Sequence, residues 1–257
     1  MTKRIGNRYV ALGSSMAAGP GIRPRAAGAP WASGRSARNY PHLLARTLRL
    51  NLLDVTFSGA TTAHLLTEAQ RGAPPQIDAL DGSEALVTVT VGGNDVGYVP
   101  MLMAATLPGM LRCLPAVGSL LDSRERERAL EHVRDSLHQV GSEVRRRSPH
   151  ARVFFVDYLT LLPPEGVVVP QIPDHVVGLA RRIAAELERC TAAAAAESGC
   201  EIVRAGQHSR EHHPWSPRPW TTAGGLPVPW RPLPWHPNSQ GMAAVAALVA
   251  EQWAQRP

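Results

Sequence analysis

Apolar residues in this chain fall into two alternating kinds of run. Short, largely apolar runs at 9–12, 52–57, 86–91, 153–156 and 201–203 are separated by longer stretches with apolar positions every three or four residues. A run apolar on both faces suits a strand buried in a parallel sheet. Recurrence at three and four places one stripe along a helix.

The clearest helix is predicted over 123–147, where Leu130, Val133, Leu137, Val140 and Val144 form a single stripe. Asp122 or Ser123 can cap its start, and Pro149 stops it. A second helix is expected over 174–196, capped by Asp174, buried through Val177, Ile183 and Leu187, and ended by Gly199. Residues 40–50 carry Leu43, Leu44, Leu48 and Leu50 at near-helical spacing, with Pro41 in the first turn. Met242, Val245, Leu248, Val249 and Trp253 mark the final helix, with Asn238 or Ser239 as its N-cap.

Five strands alternating with helices predict an α/β fold with a doubly wound parallel five-stranded sheet and right-handed crossovers. Ligands in such sheets bind beyond the carboxyl ends of the strands, near a reversal of strand order. Two segments interrupt the alternation. Residues 96–121 are apolar and rich in Met, Leu, Pro and Gly, and 207–235 form a long Pro/Trp/His-rich loop. Trp215, Trp220, Trp230 and Trp235 argue against disorder in that loop.

The length of 257 residues suits a single domain over 1–257. The net charge of +6 is almost all arginine, since Lys3 is the only lysine. Basic residues are not interleaved with stacking aromatics and no recognition motif is present, so a solvated basic surface is expected rather than a nucleic-acid partner. The apolar, charge-free stretch 96–111 is broken by Pro100, Pro108 and Gly109. It is also shorter than the ~20 residues that span a bilayer, so no transmembrane segment is expected. The first strand begins too early for a signal-peptide apolar region, which predicts a cytoplasmic protein with Cys113, Cys190 and Cys200 as reduced thiols. A Cys190–Cys200 bridge remains an alternative if the chain is exported.

Candidate chemistry sits in four short blocks. Gly13-Ser14-Ser15-Met16, Phe57-Ser58-Gly59-Ala60 and Gly92-Gly93-Asn94-Asp95 each follow or close a strand run, and Trp235-His236-Pro237-Asn238 precedes the last helix. Together they offer a nucleophile (Ser15), a close-approach glycine (Gly59), an amide donor (Asn94) and a base (His236), the parts of an acyl-transfer enzyme. Each has a plainer alternative. Ser14 and Ser15 could cap a helix, and Gly59 and Asn94 could be turn residues. His208, His212 and His213 compete with His236, although no carboxylate or cysteine completes a metal-ligand spacing around the His212-His213 pair.

The four blocks, in this order, resemble the SGNH (GDSL-type) hydrolases. The resemblance spans the chain from Tyr9 to the last helix and implies a serine esterase or lipase on a flavodoxin-like, three-layer α/β/α sandwich. It implies Ser15 and His236 as catalytic residues, and Ser15, Gly59 and Asn94 as the oxyanion hole. No metal or organic cofactor is implied, and the partner is a small-molecule ester, here expected to carry an apolar acyl group. Two positions depart from the family pattern. Ser14 stands where an aspartate is usual, and Leu233 stands three residues before His236, where an aspartate is frequent. A Ser–His dyad is therefore expected, with the histidine oriented by the carbonyl of Leu233 or a neighbour; a remote acid such as Asp174 is the alternative. Asp95 is expected to anchor its loop. Met101, Leu102, Met103, Leu107, Met110 and Leu111, with the four loop tryptophans, either line an acyl pocket or cover the sheet as core. An inactive binding module of the same fold, an acyltransferase and a carbohydrate O-acetyl esterase are the competing functions.

Overall fold

The computed structural model describes residues 6–255. Five parallel strands, β1 (Arg8–Gly13), β2 (Asn51–Asp54), β3 (Glu84–Thr90), β4 (Arg152–Val156) and β5 (Glu201–Val203), form one sheet in the order β2-β1-β3-β4-β5. Val10 is in register with Leu53 on one side and Val87 on the other, and Val87 with Val153. The chain runs from β1 outward to β2 and then returns past β1 to β3. The reversal lies between β1 and β3, the point where doubly wound sheets bind ligands.

The helices are α1 (Ser15–Ala18), α2 (Tyr40–Leu48), α3 (Thr62–Leu66), α4 (Tyr98–Ala105), α5 (Gly109–Arg112), α6 (Pro115–Leu121), α7 (Ser123–Arg147), α8 (Asp174–Glu197), α9 (Ala205–His208) and α10 (Ser239–Ala254). Side chains alternate faces along each strand, and both faces are apolar. Val10, Leu12, Val87, Val89, Val153 and Phe155 pack with Val133, Leu137, Val140 and Val144 of α7 and with Ile183 and Leu187 of α8. Tyr9, Ala11, Leu86, Phe154 and Val156 pack with Leu44 of α2 and with Met242, Val245 and Val249 of α10. Helices on both faces of one sheet make the three-layer α/β/α sandwich expected from the alternation. Leu137 is fully buried in that packing, and truncating such a residue to alanine typically costs about 2–5 kcal/mol.

Caps set the helix starts. The Asp122 carboxylate accepts from the Arg124 N–H at 2.9 Å to begin α7. Asn238 accepts from the Gln240 and Gly241 N–H groups, both at 2.9 Å, to begin α10. The start of α8 differs from expectation. Pro173 occupies the N-cap and Asp174 lies one residue inside the helix, where it makes no capping bond but still complements the dipole. An extended proline imposes the boundary without side-chain chemistry.

The interrupting segments also resolve. Residues 98–105 form α4, with Tyr98, Met101, Leu102 and Ala105 buried as core. Beyond it, α5 and α6 bury no residue, and Met110, Leu111 and Leu114 are exposed. The core reading of 96–121 thus holds as far as Ala105 and not beyond it. All three cysteines are unpaired. Among the described residues no helix is long and apolar enough to cross a membrane.

Candidate active site

Glycine makes the first turn possible. Gly13 closes β1 at φ 149°, and a Cβ there would collide with the Thr90 carbonyl of β3. Its backbone is held at both ends by Gln76, whose Oε1 accepts from the Gly13 N–H at 2.7 Å while Nε2 donates to its carbonyl at 3.1 Å. The Ser14 N–H then donates to the Thr90 carbonyl at 2.9 Å. Ser15 follows as the first residue of α1 at the carboxyl edge of the sheet. Neither serine caps α1 through its side chain, so the plainer reading of the pair does not describe them.

Late in the chain, Thr221 bridges Pro237, and the Thr222 N–H donates to the His236 carbonyl at 2.9 Å. The Thr222 hydroxyl donates to the Leu233 carbonyl at 2.6 Å and accepts from the His236 N–H at 3.2 Å. Trp235 takes a left-handed conformation, φ 61°, with its ring buried edge-on against Trp215. That turn directs the neighbouring imidazole inward.

His236 and Ser15 meet there. His236 Nε2 lies 2.8 Å from Ser15 Oγ, and Nδ1 lies 2.7 Å from the Pro234 carbonyl oxygen. A carbonyl can only accept, so Nδ1 carries the proton and Nε2 is left free to accept from the serine. The imidazole is 5% exposed, and burial pushes its pKa below the ordinary histidine value, with the Pro234 carbonyl pulling partly the other way. Among the described residues no carboxylate bonds to this imidazole. The orienting carbonyl is that of Pro234, one residue beyond Leu233.

Gly59 sits in a tight turn closed by the Ala60 N–H on the Phe57 carbonyl at 3.0 Å, with φ 80°. The Asn94 side chain crosses to this turn and donates to the Ala60 carbonyl at 2.8 Å, which leaves its second amide hydrogen free. The Ser15 and Gly59 N–H groups find no acceptor among the described residues. Asp95 anchors its loop as expected. Its carboxylate takes the Thr62 N–H at 3.0 Å and the Thr62 hydroxyl at 2.6 Å. Burial raises the Asp95 pKa while those bonds oppose the rise.

Tyr158 was not singled out from the sequence. It lies just past β4, and its hydroxyl is 3.1 Å from Ser14 Oγ and 3.0 Å from the Gly93 N, from which it accepts. A Cβ at Gly93 would drive into the Tyr158 ring, so this contact explains the glycine beside Asn94. Burial pushes the phenol pKa up to about 12, so it remains a neutral donor. The signal available in the sequence was its position at the strand's carboxyl end.

The competing histidines lie elsewhere. His212 stacks on Trp220 with ring centroids 4.0 Å apart, and His213 bonds the Trp215 N–H, so the pair is half-buried loop packing rather than an exposed dipeptide. Among the described residues no group of three His, Cys, Asp or Glu side chains is gathered to hold a metal ion.

A groove of about 500 Å³ is lined by Ser58, the chain neighbour of Gly59, by Leu233, three residues before His236, and by Ile22 and Ala32. Its walls come from the segment after α1 and from 227–233. Of the apolar residues put forward for a pocket, only Trp230 lines it; Met101 and Leu102 are core.

A serine hydroxyl bonded to an oriented neutral imidazole, at the switch point of a doubly wound sheet, is the set of parts that serine hydrolases use. A family model described as the GDSL-like Lipase/Acylhydrolase family matches residues 11–244. The chain belongs to this family, and it is a carboxylic ester hydrolase of the SGNH type. Lipase 2 of Streptomyces coelicolor is 34% identical over 206 residues, covering 76% of this chain and 68% of that protein. A lipase of Streptomyces rimosus is 26% identical over 237 residues, covering 91% and 81%. Among solved structures, an extracellular lipase from Streptomyces rimosus superimposes with a TM-score of 0.79 at 23% identity, covering 96% of this chain and 99% of that one. Phospholipase A1 from Streptomyces albidoflavus gives 0.78 at 22% identity, covering 96% and 98%. Both share the fold.

Proposed function

We propose that the chain hydrolyses carboxylic esters through an acyl-enzyme on Ser15. His236 Nε2 takes the Ser15 hydroxyl proton as Oγ attacks the ester carbonyl, while Nδ1 keeps its proton and donates it in a hydrogen bond to the Pro234 carbonyl. The oxyanion is held by the Ser15 and Gly59 N–H groups and the free Asn94 amide hydrogen. As the intermediate collapses, the imidazolium returns its proton to the departing alcohol. Water, deprotonated by the same nitrogen, then attacks the acyl-enzyme and releases the acid. The groove at Ser58 and Leu233 suits an apolar acyl chain, because its inner wall is Ile22, Ala32 and Leu233.

The observation that carries this reading is the 2.8 Å contact between Ser15 Oγ and an imidazole whose other nitrogen is committed as a donor. Ser15→Ala should lower ester hydrolysis by at least ~10³-fold with the fold retained. A fluorophosphonate probe should label the parent protein at Ser15 alone. A folded Ser15→Ala variant with near-normal turnover would remove the nucleophile assignment, and a parent protein that resists the probe and turns over no ester would favour an inactive binding module. Product analysis with added alcohol separates hydrolysis from acyl transfer.

A further inference from the structure

The outer rim of the groove carries four large apolar side chains in water. Trp31 is 81% exposed, Leu226 85%, Val228 50% and Trp230 72%. Such residues scattered singly need no account, but Trp31, Val228 and Trp230 line one hollow, and Leu226 precedes it by one residue. The charges around them have one sign. Arg23, Arg25 and Arg231 line the same groove, Arg38 joins Arg23 and Arg25 in an adjoining hollow, and no acidic residue lines either. Among the described residues none of these four arginines has a carboxylate within 4.0 Å, whereas Arg126, Arg134, Arg146 and Arg147 of α7 and Arg189 of α8 are paired. Two of the four are fixed against the aromatic rings. The Arg23 guanidinium carbon lies 3.4 Å from the Trp230 ring centroid, and that of Arg25 lies 5.2 Å from the Trp31 centroid.

We infer that this rim is a docking surface for an anionic lipid surface. Trp, Leu and Val side chains enter the boundary between head groups and acyl chains, and unpaired arginines beside them meet lipid phosphates. The charge complementarity is specific, since the rim's cations have no internal carboxylate to give up on docking. An acidic protein would satisfy the arginines but leave the tryptophans without an apolar partner. The groove floor, at Ser58 and Leu233, then faces the surface from which an ester would rise. Only this last step rests on the hydrolase reading.

The test uses the full chain and vesicles of ether-linked lipids, which carry no ester to cleave. Co-sedimentation is compared on phosphatidylcholine alone and on an equal mixture with phosphatidylglycerol. Binding should be confined to the anionic vesicles, with a blue shift of tryptophan fluorescence. Arg23→Gln and Arg25→Gln should each weaken it about fivefold. Trp31→Ala and Trp230→Ala should weaken it and reduce the blue shift. Arg146→Gln removes the same charge at the far end of α7 and should leave binding unchanged. Equal binding to both vesicles, binding to neither, or an equal loss at Arg146 overturns the inference. Hydrolysis of a short water-soluble ester by the parent protein reports the hydrolase reading separately. Its absence with selective vesicle binding would undo that reading and leave the surface standing.

Discussion

The Nδ1 of His236 lies 2.7 Å from the carbonyl oxygen of Pro234, so main chain occupies the position an acid takes in a catalytic triad. A carbonyl fixes the tautomer and ring orientation as an aspartate does, but it supplies no full negative charge to the imidazolium. Amidating Asp54, Asp95, Asp157 or Asp174 should therefore leave kcat of the folded variants within about tenfold, against a loss of ~10³ or more for His236→Ala. In an aspartate-supported triad the amidated acid costs about 10⁴. A drop of that size at any one of the four would replace the dyad by a triad.

Acid sensitivity follows from the same imidazole. A histidine base works only when neutral, and burial lowers the His236 pKa below the ordinary value of 6.5. A kcat/KM profile should therefore stay on its plateau below pH 6.5 and fall only as the depressed pKa is crossed. An acid limb centred at or above 6.5 would mean that the imidazolium is stabilised, and an acid partner would have to be sought.

Asn94 has two tasks in this geometry, tethering Ala60 and presenting a free hydrogen beside Gly59. Asn94→Ala should lower kcat by about 10²–10³, as expected of an oxyanion donor, with KM little changed. A loss confined to KM would assign Asn94 to ground-state binding.

Much of this was legible because the chemistry is sequence-local. Ser15 and Asn94 stand directly after strands whose apolar runs are unmistakable, and His236 stands directly before a helix with a strong N-cap in Asn238. Less was legible where distant segments meet. The contact from Ser14 to Tyr158 spans 144 residues, and no local pattern pairs them. The orienting carbonyl belongs to Pro234, next to a Trp235 in a left-handed conformation that its residue type disfavours and whose buried ring packs against Trp215. The groove has no local signature, because one wall, 20–34, carries no apolar periodicity.

Tyr158 joins the Ser14-Ser15 turn to the Gly93-Asn94 loop through one hydroxyl, on the side where the family's aspartate would stand. Tyr158→Phe should lower kcat by up to about tenfold, the worth of a buried hydrogen bond, without raising KM. Combined with Ser14→Ala the losses should be less than additive, since both remove the same bridge. Additive losses would show that Tyr158 acts through Gly93 alone.

Stability should carry the mark of Asp157. Its carboxyl, buried at the end of β4, has its pKa raised from 3.8 to about 7, by burial first and by Glu188 in addition, while the Gly206 N–H on Oδ1 opposes the rise. Between those two values the unfolded chain has released a proton that the folded chain keeps, so stability falls as pH rises through the window. Asparagine preserves the acceptor for Gly206 and has nothing to ionise. The melting temperature of Asp157→Asn relative to the parent should thus be pH-independent below about 3.8, climb through the window, and level off above pH about 7. Thermal unfolding of both proteins across that range checks it. A constant difference would mean that Asp157 ionises in the folded protein as it does in the unfolded chain.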